Sequence, residues 1–186
     1  MDTWIWVLIA IVAVIVIVVV VWLALSKRRT TTLRDQFGSE YDRTLQQTDS
    51  RREAEADLSA RRERREQLNI QPLTSAARDR YSAQWQQVQS RFVDQPAVSL
   101  GQADELVLQV MREPGYPMDD FEQRAADISV DHPEVVEHYR AGQTVSRSAA
   151  SSEATTEDMR QGLVHYRALF EELLGADSET DRGEVP

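Results

Sequence analysis

The sequence predicts an all-α protein: an N-terminal transmembrane helix, a helical stalk, and a small irregular helical bundle of about five helices. Three observations carry that expectation. An uncharged apolar run fills residues 5–25, apolar residues in the distal half recur at steps of three and four, and no stretch alternates apolar and polar residues as a half-buried strand does. The corresponding divisions are a short extracytoplasmic N-terminus at 1–4, the transmembrane helix at 5–25, a basic juxtamembrane segment and stalk helix at 26–72, an all-α soluble domain at 73–175, and a disordered acidic tail at 176–186.

The run IWVLIAIVAVIVIVVVVWLAL, Ile5–Leu25, has 21 residues and no charge. As a helix it spans roughly 31 Å, enough for a hydrocarbon core of about 30 Å. Trp4, Trp6 and Trp22 sit near its ends, where an indole keeps its ring in lipid and its N–H among headgroups. A cleaved signal peptide needs a basic start, a shorter apolar core and a small-residue exit. Here the start is MDTW, and the best exit, Ala24-Leu25-Ser26, runs directly into Lys-Arg-Arg. A retained anchor is therefore expected.

Charge orients it. Lys27, Arg28, Arg29 and Arg34 follow the span, whereas Asp2 alone precedes it. The positive-inside rule places the chain beyond residue 26 in the cytoplasm of a single-pass inner-membrane protein, with the basic cluster against anionic inner-leaflet lipids. Residues 26–80 hold 13 basic and 10 acidic residues, and residues 81–186 hold 8 basic and 20 acidic. So acidic a distal half repels nucleic acid. Only Lys27 among the 21 basic residues is lysine, which suits a high-GC coding genome.

Leu33, Phe37, Tyr41 and Leu45 recur every fourth residue and continue thinly into Ala54, Ala56 and Leu58. With the helix-forming run around them, they predict a stalk helix over Glu40–Leu68, jointed at Gly38, with a narrow stripe suited to a coiled-coil seam and a homo-oligomer. A second helix is capped by Thr74 or Ser75 and carries Tyr81, Trp85, Val88 and Phe92 on one face. The third places Val107, Val110 and Met111 inward and stops at Pro-Gly-Tyr-Pro, with Trp85 and Tyr116 expected in the core. A short fourth is capped by Asp119 or Asp120, and a fifth starts near Pro133 with Asp131 and Glu134 spaced as a capping box. SRSAASSEATTE reads as a mobile linker. The last helix opens at Thr155 or Thr156, carries Met159, Leu163, Tyr166, Phe170 and Leu173, and closes at Gly175.

His-Tyr-Arg-Ala occurs twice, at 138–141 and 165–168, and holds two of the three histidines. At 100° per residue Tyr139 and Tyr166 fall on inward faces, while His138 and His165 fall on the rim or in solvent. The flanks do not extend the match, so the repeat reads as two amphipathic helices of one bundle, not as a duplicated site.

Chemistry finds little footing. Without cysteine there is no disulfide, thiolate nucleophile or zinc-thiolate site. Glu134-x-x-x-His138 is a single helical pair, and His132 lies off that face; no His-Glu-x-x-His or calcium-loop pattern accompanies them. There is no Gly-x-Ser-x-Gly elbow and no glycine-rich phosphate cradle. RRERR, Arg61–Arg65, has no interleaved aromatic for base stacking and reads as a solvated, ion-paired helix face. No catalytic, cofactor-binding or metal residue is expected, nor any cofactor. The candidate core or partner surface consists of Tyr81, Trp85, Phe92, Tyr139, Tyr166 and Phe170.

The run RFVDQPAVSLGQADELVLQVMREPGYPMDDFEQRAADISVDHPEVVEHYR, with QFGSEYDRT before it and MRQGLVHYRALFEELL after it, resembles an uncharacterised family of bacterial hypothetical proteins described as secreted or single-pass membrane proteins. The likeness covers residues 33–174. It implies a bacterial inner-membrane location and no particular activity. The expectation is a non-enzymatic membrane-anchored scaffold or adaptor whose partners are the bilayer and an unknown protein, with no nucleic acid. Its alternatives are a stalk-mediated structural oligomer of the cell envelope, or a metal-independent hydrolase using the acidic region between Asp119 and His138.

Overall fold

The computed structural model describes residues 3–180; of the side chains in that range, those of residues 3, 5–10, 19, 21–26 and 176–180 lie outside the described set. The described residues form eight α-helices and no strand: α1 (Thr3–Phe37), α2 (Ser39–Gln47), α3 (Arg51–Gln67), α4 (Ser75–Arg91), α5 (Pro96–Arg112), α6 (Phe121–Asp131), α7 (Val136–Ala150) and α8 (Thr156–Thr180). The protein is all-α. Its helices group into two compact units, Met1–Ser59 and Ala60–Pro186, so the boundary falls inside α3.

In the first unit, α1 runs through the basic flank without a break and ends at Gly38, whose φ of +48° a side-chain-bearing residue rarely adopts. Among the described residues no helix is long and apolar enough to cross a membrane. The span expected at 5–25 includes many side chains outside the described set, Trp6 and Trp22 among them; the expected N-terminus at 1–4 lies mostly outside it as well. The stalk helix expected over Glu40–Leu68 is two helices, because Thr48, Asp49 and Ser50 interrupt it; the Thr48 and Ser50 side chains hydrogen-bond local backbone groups there. Leu33, Phe37, Tyr41, Ala54 and Leu58 are buried within the single chain, so the stripe is not an open coiled-coil seam. Polar clips tie α3 to the other helices of this unit: Arg29 Nη2 donates to Ser59 Oγ at 2.7 Å, Thr30 Oγ1 to Glu55 Oε1 at 2.7 Å, and the Tyr41 hydroxyl to Glu55 Oε1 at 3.1 Å.

The second unit holds the end of α3 and a bundle of α4 to α8. Local chemistry sets the helix starts. Thr74 Oγ1 accepts the Ala77 N–H at 3.1 Å, and an Asp120 carboxylate oxygen accepts the Gln123 N–H at 2.9 Å. Thr155 and Asp158 form a reciprocal capping box: Thr155 Oγ1 accepts from Asp158 N–H at 3.1 Å, and Asp158 Oδ2 accepts from Thr155 N–H at 2.8 Å. The Thr155 hydroxyl, which donates to Asp158 Oδ2 at 2.7 Å, and then the Thr155 N–H hold the Asp158 carboxyl below the usual carboxylate range. Pro96 opens α5 where its missing N–H is harmless. Gly115, at φ +111°, stops α5 beside Asn69, whose carbonyl oxygen lies 2.9 Å from where a Cβ would stand. Gln71 N–H then donates to Pro114 O at 2.8 Å and fastens the segment before α4 to that stop.

α5 lies at the centre, packed on α4, α7 and α8. Leu100, Ala103, Val107, Val110 and Met111 on its inner face meet Tyr81, Trp85 and Val88 of α4, Val136 and Tyr139 of α7, and Met159, Tyr166, Leu169 and Phe170 of α8 in one apolar core. Three expectations are corrected. The capping box at Asp131 does not form, because α6 continues through Asp131 and the next helix begins at Val136. Most of SRSAASSEATTE is helical, leaving a turn at 151–155 that includes Ser152 at φ +59°. α8 does not close at Gly175 but runs to Thr180; the rest of the tail, 181–186, lies outside the described residues.

Candidate functional site

α7 and α8 are antiparallel neighbours, and two glycines set how closely they approach. A Cβ on Gly142 would stand 3.1 Å from three carbons of the Tyr166 ring, and one on Gly162 would stand 2.9 Å from Val145 Cγ1 and 3.1 Å from Leu100 Cδ1. With that register the two His-Tyr-Arg-Ala segments lie alongside each other.

Both tyrosines are fully buried, yet each hydroxyl has a partner. Tyr166 donates to Asp104 Oδ1 at 2.8 Å, and because that uses its only proton, the 3.0 Å contact with Ser146 Oγ has serine as donor. The Tyr139 hydroxyl accepts from Arg124 Nε at 3.1 Å. Four helices thus contribute to one polar cluster inside the apolar core. Burial first, and the Asp104 charge second, raise the Tyr166 hydroxyl far above the usual phenol range; burial likewise raises Tyr139, with Arg124 opposing. Burial raises the Asp104 carboxyl, against the Tyr166 hydrogen bond and the Arg124 charge. A carboxyl and two phenols in this setting rigidify the bundle; they stay protonated or hydrogen-bonded and present no activated base.

The histidines correct the sequence reading. His138 and His165 are half-buried and meet, with their Nδ1 atoms 2.9 Å apart and their ring centroids 5.2 Å apart. The third histidine, His132, caps the C-terminus of α6, with Nδ1 3.3 Å from Glu172 Oε1 of α8. Among the described residues no group of three or more His, Cys, Asp or Glu side chains is arranged to hold a metal ion.

The arginine run is ion-paired, as the sequence suggests, but mainly to residues beyond its own helix. Arg64 Nε donates to Asp127 Oδ1 at 2.9 Å and its Nη2 to Asp119 Oδ2 at 2.6 Å; Arg61 reaches Ser129 Oγ at 3.4 Å; and Arg65 pairs with Asp131. Asp127 is 1 % exposed and also accepts from Gln123 Nε2 at 2.9 Å, and Asp131 accepts from the Tyr116 hydroxyl at 2.7 Å. The end of α3 is therefore bound along α6 by an ionic seam. Asp119, Asp127 and Asp131 are acceptors for that seam.

Of the other sequence-predicted residues, Trp85 and Phe170 stack at 4.7 Å with their planes 19° apart. They line a groove of about 450 Å³ between α4 and α8 with Arg78, Arg167, Glu171 and Leu174 around it. Tyr81 is buried and donates to Glu113 Oε2 at 2.5 Å, and Phe92 is half-buried at the end of α4. In the basic flank, Lys27 and Arg28 are exposed, while Arg29 is turned to Ser59 and Arg34 lies 3.5 Å from Asp42. Trp4 is exposed at the start of α1. Sequence reasoning missed Asp104, Arg124 and the Asp119–Asp127–Asp131 row. The one available signal was Asp104 and Asp127 sitting among apolar neighbours on otherwise inward-facing turns. Comparison with protein families, with curated proteins and with solved structures finds no match for this chain.

Proposed function

We propose that the protein is a single-pass, bacterial inner-membrane scaffold or adaptor. Its N-terminal helix is the anchor, and its bundle faces the cytoplasm and binds a protein partner without catalysing a reaction. One observation carries the membrane reading. Ile11 to Val18 are eight consecutive apolar residues, all exposed, and the seven other than Ala13 are more than half exposed. Eight residues at 100° each cover every side of a helix, so an amphipathic packing on one protein face would leave most of them in water. Burial of one such side chain is worth about 1.5–3 kcal/mol. Leaving the seven valines and isoleucines in water forfeits on the order of 10–20 kcal/mol, as much as the whole stability of an ordinary domain. Lipid covers all sides of a helix at once. The sequence continues the apolar run on both sides of this stretch, and exposed Lys27 and Arg28 follow it.

The adaptor reading is supported by how the bundle uses its polar groups. The Tyr139, Tyr166, Asp104 and Asp127 side chains are committed to partners within the bundle, and the concave surface between α4 and α8 has an aromatic floor and a charged rim, suited to an apolar side chain of a partner helix. Membranes from cells expressing a reporter fusion at Pro186 test the proposal. The chain should remain with membranes after alkaline extraction, with the reporter active on the cytoplasmic side. Release by alkali overturns the anchor, and a periplasmic signal overturns the orientation. A photo-crosslinker at Gln86, on the groove, should trap a different protein; adducts only with a second copy of the chain would favour the structural oligomer.

A further inference from the structure

The His138–His165 contact is informative because of how its two distances combine. The 5.2 Å between ring centres exceeds the 2.9 Å between nitrogens by about the width of one ring, half from each partner. Each Nδ1 therefore points at the other nearly along the line of centres. Two nitrogens chelating one zinc ion would stand about 3.3 Å apart, with their lone pairs aimed at the ion and not at each other. Nitrogens aimed at each other at this distance share a proton: one ring donates Nδ1–H and the other accepts through its lone pair. Such a bond exists for a neutral pair, and it exists for a pair carrying one extra proton. A second extra proton occupies the remaining lone pair and sets two cations face to face.

We propose that the His138–His165 contact is a proton-operated latch on the α7/α8 hairpin, closed while the two rings share a proton and open when both are charged. Among the described residues no carboxylate hydrogen-bonds either ring. Exposed Glu134, in the turn before α7, lies four residues ahead of His138, and within α7 Glu137 is paired with Arg140 at 3.0 Å. On α8, Arg167 is paired with Glu171 at 2.7 Å and Glu172 faces His132. From α5 and α6, Asp104 and Arg124 are turned to the tyrosine cluster, and Asp131 is held by Arg65 and Tyr116. Burial first, and the neighbouring His138 second, lower the His165 pKa from its usual range. A base whose pKa is depressed by folding leaves the folded state short of a proton that the unfolded chain takes up. Stability is then complete above the unfolded value of about 6.5 and is lost as pH falls below it. Acid therefore loosens the hairpin at His138 and His165 specifically.

The test uses the full chain in detergent micelles with ¹⁵N-labelled histidine. At pH 7.5 one of the two rings should show the Nδ1–H tautomer, and the pair should titrate in two separated steps. In denaturant titrations the folding equilibrium constant should fall by up to about tenfold per pH unit below about 6.5, and His165→Gln should abolish that slope. Two independent Nε2–H histidines titrating together near 6.5 would overturn the proposal, as would an unchanged slope in His165→Gln. The wild-type spectra decide the matter even if the variant fails to fold.

Discussion

The Tyr166 hydroxyl donates a 2.8 Å hydrogen bond to Asp104 Oδ1 across the packing of α8 on α5, inside an otherwise apolar core. Tyr166→Phe keeps the ring on Gly142 but removes the donor to Asp104 and the acceptor for Ser146 Oγ, leaving a buried carboxyl short of a partner. The expected loss is about 1–3 kcal/mol, read as a lower denaturant midpoint at constant m-value.

Asp104 makes the same site sensitive to pH in the opposite sense to the histidine latch. Its folded pKa is raised by burial, so the folded state holds the proton more tightly than the unfolded chain does. That contribution is fully present below the unfolded value of about 3.9 and is lost as pH rises through the raised folded value. Asp104→Asn, which still accepts from Tyr166, should flatten this part of the stability profile. A profile identical to wild type from pH 4 upward would show that Asp104 titrates normally.

Gly162 and Gly101 provide a matched pair. Gly162→Ala drives a methyl group against Val145 and Leu100 and should cost about 1–3 kcal/mol. At Gly101, within α5, nothing lies within 4 Å of an added Cβ. Gly101→Ala should instead stabilise by about 0.5–1 kcal/mol through helix propensity. Thermal midpoints moving in opposite directions would confirm the glycine-limited approach of α7 and α8.

The ionic seam should be uneven. Arg64→Met strips the guanidinium from Asp127, a carboxylate almost wholly buried, and the exposed side of Arg64 tempers the cost to about 2–3 kcal/mol. Arg65→Met removes a more solvated pair and should cost no more than about 1 kcal/mol. Equal effects in denaturant titrations would refute this division.

Thr155→Ala removes one half of the capping box that starts α8. A loss of about 1 kcal/mol is expected, with hydrogen exchange quickening first at the amides of 157 and 158.

How much of this was legible in the residues depends on distance along the chain. Thr74, Asp120 and Thr155 announce helix starts because each cap bonds a backbone group two or three residues away. The inward stripes of α4 and α5 are readable for a similar reason, since a 3.6-residue period is a local property. Where local signals compete, the reading failed. Small polar residues at 146–150 suggested a loop, yet packing against α8 keeps them helical, and three polar residues at 48–50 broke a helix that composition alone would continue.

The sequence by itself determined that this chain is helical, where most helices begin, which faces turn inward, and that an uncharged apolar run precedes a basic flank. Only the tertiary structure decided that His138 meets His165, that Arg64 serves Asp127, and that Tyr166 serves Asp104. Those partners stand 27, 63 and 62 residues apart. A helical period gives the direction a side chain points but not which helix lies there. That choice belongs to packing, here to two glycines that let α7 and α8 close on each other and bring two copies of one tetrapeptide face to face.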